Sequence, residues 1–426
     1  MKNIVQTLFR RGLIDGQTHQ DIDAIVEKNA PMRLYCGFDP TADSLHLGHL
    51  VAIMGLGWFR RYGHIPTVIV GGATGLIGDP SGKSQERNLL SNDVLFHNVK
   101  CIRKTLDTIL SRIGGTHDIV LLNNNDWFSS MNCIEFLRDV GKHFRIGTML
   151  GRESVRTRLA AEEGMSYTEF SYQLLQAYDF YHLFSQYGVS LQLGGSDQWG
   201  NITAGIELIR RLTGQEAWGL TFPLLVKSDG KKFGKSEQGA IWLSEEKLSV
   251  YDFYQYLVRT SDQDVIRLLK ALTLLDIEMI DDLEQSMARS DYQQNSAQKL
   301  LAAEVTRLVH GEEGLQKALK TTAQAMPGAE EVVYSAQAIK EMLSQVPSFA
   351  LSKTSVIDAR ICDVLATCGF VESRAEARRN IKNGGVAVNS RKISDEFDTL
   401  VNTDLIEEKY IVFSLGKKRR AVLEVT

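Results

Sequence analysis

Two histidines three residues apart, His46 and His49, bracket a glycine in the stretch His46-Leu47-Gly48-His49. At the start of a helix this spacing places both imidazoles on one face. Imidazoles there donate to phosphate oxygens as charge builds in a transition state. The unpaired N–H groups and dipole of the helix N-terminus add to that preference for phosphate. Gly48 lets a flat ring approach the backbone. Zinc is the competing chemistry, but no third ligand lies near in sequence, so no metal site is expected. A second basic set, Lys231-Lys232-Phe233-Gly234-Lys235-Ser236, lies in the polar segment from Ser228 to Gly239. Lys232 and Lys235 on such a loop can close over a polyphosphate as point charges. It is not a Walker A loop, because Gly230 and Gly234 are too close for GxxxxGK[ST]. Taken singly, each motif has a plainer reading: surface histidines at a helix start, or a solvated lysine turn.

The flanking pattern says how these groups are held. Arg33 to Phe38 reads as a strand running into the turn Asp39-Pro40-Thr41, and Leu45 to Tyr62 reads as a helix. Further buried-type strands are expected at Thr67–Val70, Asp118–Leu122 and Val189–Leu193, each followed by a polar or glycine-rich turn. Short apolar strands alternating with helices predict a parallel sheet covered on both faces. Ligands of such sheets sit beyond the carboxyl ends of the strands. Asp79 and Asp197 follow strand-end glycines, where a carboxylate either faces the cleft or forms the turn. Tyr172, Gln176 and Asp179 fall at i, i+4 and i+7 between Phe170 and Tyr181, so one helix face presents all three. Residues 1–30 read as a polar helical lead-in, 248–319 as helical throughout, and 326–353 as a poorly packed connection. The remainder holds an amphipathic stretch (Ile357–Cys368), a basic helix (Arg374–Lys382) and a turn into a strand at Val386–Asn389.

The chain has 426 residues, 43% hydrophobic and 23% charged. That excludes a wholly disordered chain and, at roughly 100–200 residues per domain, predicts two to four domains. No apolar run approaches the ~18 residues of a membrane span, and Met1 to Arg11 lacks the apolar core of a secretory signal. Five cysteines without a CxxC argue against a disulfide framework or zinc site and for a reducing, cytoplasmic setting. The net charge of −4 weighs against nucleic acid only as an average. Between Glu372 and Lys392 there are six Lys/Arg against two Glu, and Arg374, Arg378 and Lys382 step by four along one helix stripe.

HLGH together with KFGKS resembles the paired motifs of class I aminoacyl-tRNA synthetases, usually written HIGH and KMSKS. Longer segments narrow the resemblance to the bacterial tyrosyl branch: Leu34–Leu50 (LYCGFDPTADSLHLGHL), Gly71–Ser81 (GGATGLIGDPS) and Gly194–Asn201 (GGSDQWGN). Leu47 for Ile and Phe233-Gly234 for Met-Ser are familiar in that branch. The resemblance implies a Rossmann-like doubly wound α/β domain (1–245), an α-helical domain (246–325), a linker (326–353) and a small α+β RNA-binding domain (354–426). It implies a two-step ligation: tyrosine attacks the α-phosphate of ATP, and the tyrosyl group then passes to the terminal ribose of tRNA(Tyr). Thr41, His46 and His49 are expected on the ATP phosphates, and Lys232, Lys235 and Ser236 on the departing pyrophosphate. Asp39, Gly48, Gly195 and Asp197 belong to the nucleotide site, with Asp197 on the ribose hydroxyls. Asp79, Tyr172 and Gln176 would hold the substrate ammonium and Gln198 would lie near its carboxylate. Tyr35 and Asp179 would read the phenol hydroxyl. Mg²⁺ is expected to arrive with ATP, without dedicated protein ligands, and the enzyme to be a homodimer with no membrane association.

Ser373 to Asn389 resembles a small RNA-binding module first described in a small-subunit ribosomal protein. The expected RNA contacts are Arg374, Arg378, Arg379, Lys382, Lys417, Lys418 and Arg419, with Arg210 and Arg211 towards the acceptor stem. Three rivals stand beside this reading. A nucleotidyltransferase shares HxGH but has no use for the basic terminal module, and an RNA-binding protein with a disused catalytic domain has no use for the intact polar set. A tryptophanyl enzyme is disfavoured by Tyr35 with Asp179. Deleting residues 351–426 is predicted to spare tyrosine-dependent ATP–pyrophosphate exchange and to damage tRNA charging; equal charging by the truncated chain contradicts this.

Overall fold

The computed structural model describes residues 3–82, 90–161, 164–228, 230, 233–236, 239–325, 339, 343, 346–389, 391–416 and 419–426. Five parallel strands form the body of the first sheet: β2 (Arg33–Phe38), β3 (Ile65–Val70), β4 (Val120–Asn123), β5 (Leu191–Gly195) and β6 (Trp218–Phe222). A two-residue edge strand, β1 (Gly16–Gln17), pairs antiparallel with β6, giving the order β1-β6-β5-β2-β3-β4. The chain winds outward from β2 to β4, then returns to the other side of β2 for β5 and β6. The winding therefore reverses between β2 and β5, and the carboxyl ends of these neighbours open a crevice there. β2 to β5 fall on the four apolar runs that predict strands, with β2 burying Leu34, Tyr35, Cys36 and Phe38, whereas β6 is a strand those runs did not predict.

Two local readings change. The first 30 residues are not a polar lead-in: helices Ile4–Arg10 and Ile22–Lys28 bury Ile4, Val5, Leu8, Ile22 and Val26, and β1 lies between them. The helix expected from Leu45 begins instead at Leu50, after a 3₁₀ turn at Leu47–His49, and runs to Arg61. Two glycines set its contact distances, one against the sheet and one against the end of the helix Asn92–Ile113. A Cβ on Gly55 would stand 2.1 Å from Phe222 Cζ, and one on Gly57 would stand 2.5 Å from Ile113 Cδ1.

By its internal contacts the chain divides into two compact units, residues 1–248 with 255–311, and 249–254 with 312–426. The helical stretch contains Val250–Val258, Asp262–Leu272, Ile277–Met287 and Ser296–Ala325, the last interrupted at Gly311 (φ 78°). The second unit holds a five-stranded sheet built from β9 (Ser348–Leu351), β10 (Val386–Val388), β11 (Arg391–Ile393), β12 (Tyr410–Leu415) and β13 (Arg419–Val425). Its order is β11-β10-β12-β13-β9, with β9 parallel to β13 and the other pairs antiparallel. Helices Ile361–Thr367 and Arg374–Lys382 pack on one face through Ile361, Leu365, Ala377 and Ile381. Ile339, Leu343 and Val346 pack with Tyr410, Val412 and Val422. The stretch read as a loose connection thus supplies a strand and core residues.

Gly55→Ala tests the helix–sheet contact. Alanine gains about 1 kcal/mol of helix propensity, but overpacking a tight core costs about 1–3 kcal/mol. With a contact this short the second effect is predicted to win, lowering the melting temperature; an unchanged or raised value contradicts the contact.

Candidate active site

Turns at the carboxyl ends of β2, β3 and β5 surround a cleft of about 350 Å³. Tyr35 lines it from β2, and Asp39, Thr41, His46, Gly48 and His49 line it from the turn beyond. Asp79 enters after β3, and Gly195, Asp197 and Gln198 enter at the end of β5. Tyr172, Gln176 and Asp179 come from one face of the helix Tyr167–Tyr187. All of the predicted tyrosine and nucleotide residues outside the KFGKS loop therefore meet in one cleft.

The HLGH turn differs in detail from a first α-helical turn. In a 3₁₀ turn residues i and i+3 eclipse, so the rings of His46 and His49 lie close together, centroids 3.9 Å apart and planes inclined by 34°. His46 Nδ1 accepts from Gly48 N (3.1 Å), and His49 Nδ1 accepts from His46 N (3.1 Å). With both Nδ1 atoms accepting, the neutral rings carry their proton on Nε2. The flat ring that Gly48 admits is that of His46 itself: a Cβ there would stand 3.0 Å from it.

A buried hydrogen-bond chain crosses the floor of the cleft. Asp179 accepts from Trp127 Nε1 (2.9 Å) and Asn124 Nδ2 (3.0 Å). Asn124 Nδ2 also donates to Thr74 Oγ1 (3.0 Å), and Thr74 donates to Asp39 Oδ1 (2.7 Å). The Tyr172 hydroxyl donates to the other Asp39 oxygen (2.8 Å). Beside this chain Asp79 accepts from Gln198 Nε2 (2.7 Å), the Ser81 amide (3.0 Å) and, at 3.4 Å, Asn201 Nδ2. Asn124, Trp127, Thr74, Ser81 and Asn201 were not singled out in the sequence. The one available signal was position, since Asn124 follows β4 as Asp39 follows β2.

Three buried polar atoms of residues that line this cleft have no hydrogen-bond partner among the described residues: Tyr35 Oη, Gln176 Oε1 and Gln192 Oε1. Buried polar groups are rarely left so, and three in one cavity point to a polar ligand. Burial raises the Tyr35 phenol well above its ordinary value, and the nearby Asp179 adds to the rise. Tyr172 is likewise raised by burial and by Asp39 and Asp79.

The basic residues are distributed differently. Lys235 and Ser236 form β7, paired with β8 (Gly239–Ala240), while Lys232, Lys417 and Lys418 lie outside the described residues. Arg210 and Arg211 end the helix Trp199–Thr213, away from the cleft lining, and both bind Glu207 (2.9 and 2.6 Å). Arg374, Arg378 and Lys382 form the expected exposed stripe, but acidic neighbours meet it. Asp363 lies 3.0 Å from Arg374, and Glu396 lies 3.9 Å from Arg378 and 3.0 Å from Lys382. Arg379 is exposed on the same helix. Arg419 donates to the Phe370 carbonyl (2.8 Å), and the adjacent Arg420 is buried, so the run at 417–420 does not present four outward cations.

Asp179 carries a pH signature. Burial pushes its carboxyl up to about 8, against the lowering effect of the Asn124 and Trp127 hydrogen bonds, with Asp39 adding to the rise. An acid raised above its unfolded value of about 3.9 stabilises the fold fully below that value. The contribution is lost as pH rises through the folded value. Asp179→Asn removes this dependence while setting an amide hydrogen against a donor, a pH-independent cost. The melting temperature of Asp179→Asn minus that of the parent is therefore predicted to increase from about pH 5 to about pH 8.5. A flat or falling difference contradicts the raised carboxyl.

Comparison with known proteins places this geometry. Residues 27–326 match the family described as tRNA synthetases class I (W and Y), and residues 338–423 match the tyrosine–tRNA ligase SYY-like C-terminal domain. The chain is 51% identical to the tyrosine–tRNA ligase of Protochlamydia amoebophila, over 100% of this chain and 99% of that protein. It is 48% identical to the chloroplastic/mitochondrial tyrosine–tRNA ligase of Arabidopsis thaliana, over 100% of this chain and 84% of that one. A C-terminally truncated mitochondrial tyrosyl-tRNA synthetase of Aspergillus nidulans superposes with a TM-score of 0.69 at 33% identity, covering 76% of this chain and 94% of that chain. The chain belongs to the tyrosine–tRNA ligase family of class I aminoacyl-tRNA synthetases.

Proposed function

We propose that the cleft performs the family's reaction, the ATP-dependent ligation of L-tyrosine to tRNA(Tyr), with the division of labour that follows. Tyrosine lies with its phenol against Tyr35 and Asp179 and its ammonium among Asp79, Tyr172 and Gln176. Gln198 lies near its carboxylate. ATP lies across the β2–β5 crevice, on Asp39, Gly48 and Gly195, with its ribose hydroxyls on Asp197. The tyrosine carboxylate attacks the α-phosphate and pyrophosphate leaves. Thr41 and the Nε2–H groups of His46 and His49 stabilise the growing negative charge, and Lys232, Lys235 and Ser236 close over the leaving group. The adenylate is then attacked by the terminal ribose hydroxyl of the tRNA, releasing AMP. No covalent bond to the enzyme is needed, so catalysis is positioning and electrostatics.

The observation that carries this reading is the unpartnered Tyr35 hydroxyl beside a buried carboxyl. A substrate phenol completes both, whereas phenylalanine leaves them unmatched at a cost of about 1–3 kcal/mol or more. Mg²⁺ is proposed to arrive on the ATP phosphates. Among the described residues no group of three or more His, Cys, Asp or Glu is disposed to hold a metal. The proposed functional division is 1–245, 246–325 and 354–426, with β9 and Ile339, Leu343 and Val346 of the 326–353 stretch packed into the terminal part. The terminal part binds tRNA through Arg374, Arg378, Arg379, Lys382, Lys417, Lys418 and Arg419, and Arg210 and Arg211 face the acceptor stem. A homodimer is supported by exposed apolar residues on two short helices: Ile134 and Ile146 are 70% and 66% exposed, with Leu137 and Leu150 beside them. No helix among the described residues is long and apolar enough to cross a membrane. The proposed setting is the cytoplasm, which suits five free cysteines.

The test is ATP–pyrophosphate exchange with tyrosine, phenylalanine or tryptophan. Exchange is predicted with tyrosine alone, and Asp179→Ala is predicted to lower the tyrosine-over-phenylalanine ratio of kcat/KM by at least about tenfold. Exchange that ignores the amino acid supplied, or an unaltered ratio in Asp179→Ala, contradicts the assignment.

A further inference from the structure

A hydrogen-bonded seam runs beside the HLGH turn. The segment leaving the β7–β8 hairpin, Ile241–Ser244, lies antiparallel to Ser44–Leu47. Leu47 N donates to Ile241 O (2.8 Å), Leu243 N to Leu45 O (2.8 Å) and Ser244 N to Ser44 Oγ (3.2 Å). His46 and Trp242 are the bridge pair at its centre. The other end of the hairpin closes on the same turn: Ile241 N donates to Gly234 O (2.8 Å), and Gly234 N donates to the Tyr256 hydroxyl (3.1 Å). Gly234 has φ +82°, and a Cβ on it would stand 3.1 Å from Gly48 N. The two phosphate-directed motifs therefore share one backbone seam, glycine against glycine.

The side chains of the seam bear on one ring. The His46 ring lies against His49 at 3.9 Å with the planes inclined by 34°, and the Trp242 ring lies 6.3 Å from His46, centroid to centroid. Lys247 Nζ sits 5.2 Å from the Trp242 ring centre and 2.6 Å from Asp43 Oδ1. Asp43 lies just ahead of the seam and Lys247 just behind it, so their ion pair closes its open end. An imidazole that must meet a phosphate oxygen only as charge develops needs its position held to about 0.5 Å. His49 and the Gly48 amide constrain His46 within its own turn, and Trp242 constrains it from the returning strand.

We propose that Trp242 is a positioning residue for adenylate formation, holding the His46 imidazole at the phosphate subsite and itself held by the Asp43–Lys247 clasp. This rests on the reading of His46 as a phosphate contact. The tyrosine pocket shares no side chain with the seam, so the effect falls on the chemical step and on ATP, and tyrosine binding is spared.

The experiment is single-turnover adenylate formation at saturating ATP and tyrosine, with tyrosine affinity measured separately by equilibrium dialysis. Trp242→Ala is expected to slow the step by at least about tenfold, as a misplaced catalytic group does, with tyrosine Kd within about twofold of the parent. Trp242→Phe, which keeps an aromatic face, is expected to stay within about threefold. Lys247→Met and Asp43→Asn are each expected to slow the step several-fold, and the double variant no more than the worse single one, because they act through one contact. A parental rate in Trp242→Ala, a loss that tracks tyrosine affinity, or additive effects at Asp43 and Lys247 overturns the proposal. If Trp242→Ala fails to fold, the two clasp variants decide, since both side chains are partly exposed. His46→Ala separates the failures. A parental rate there removes the reading of His46, whereas a slow His46→Ala beside a parental Trp242→Ala removes only the brace.

Discussion

A carboxyl group buried among aromatic and apolar side chains is expensive to ionise, and the cleft is organised around one. Asp179 is 4% exposed and held by Trp127 and Asn124, which come from the loop and short helix after β4. Asn124 also accepts from the Ala73 amide (2.7 Å), so the same side chain ties the turn after β3 to the floor of the pocket. Through Thr74 the chain continues to Asp39 and Tyr172. Asp179 and Asp39 thus belong to one hydrogen-bonded network, and a change at Asp179 is not local.

The sheet makes that network possible. Reversal of the winding between β2 and β5 brings Asp39 and Asp197 to one crevice from opposite halves of the fold. Phe233–Ser236 are brought to the same turn by other means: β7 pairs with β8, and the following backbone of Ile241–Ser244 is tied to the HLGH turn. Phe-Gly in this motif has a local reason: Phe233 is buried against Tyr256, and Gly234 adopts a positive φ in a space that admits no side chain.

Much of the site was legible because it obeys local periodicities. Tyr172, Gln176 and Asp179 share a face by helix spacing alone, and Asp39, Asp79 and Asp197 sit where parallel strands end. The partners of these groups were not legible, because they are 35 to 133 residues away in the chain: Trp127 and Asn124 for Asp179, Thr74 and Tyr172 for Asp39. Local spacing also misjudged the HLGH turn, where each Nδ1 captures a backbone amide and tightens the turn to 3₁₀. Edge strands β1 and β9 were missed because two to four residues carry too little pattern to separate strand from loop. The basic stripe on Arg374–Lys382 was visible as spacing, but its neutralising partners Asp363 and Glu396 lie outside that helix. The average charge of −4 conceals both the stripe and its acidic frame.

The proposed reading of the phenol rests on a buried Asp179, its carboxyl raised by burial, beside the Tyr35 hydroxyl. Its most direct test is a ¹³C NMR titration of the Asp179 carboxyl carbon in aspartate-labelled protein, assigned with Asp179→Asn. The account predicts a midpoint near the value of about 8 given by its burial, and a resonance that saturating tyrosine moves and saturating phenylalanine leaves in place. A midpoint in the ordinary range near ~4, or a resonance indifferent to tyrosine, contradicts it.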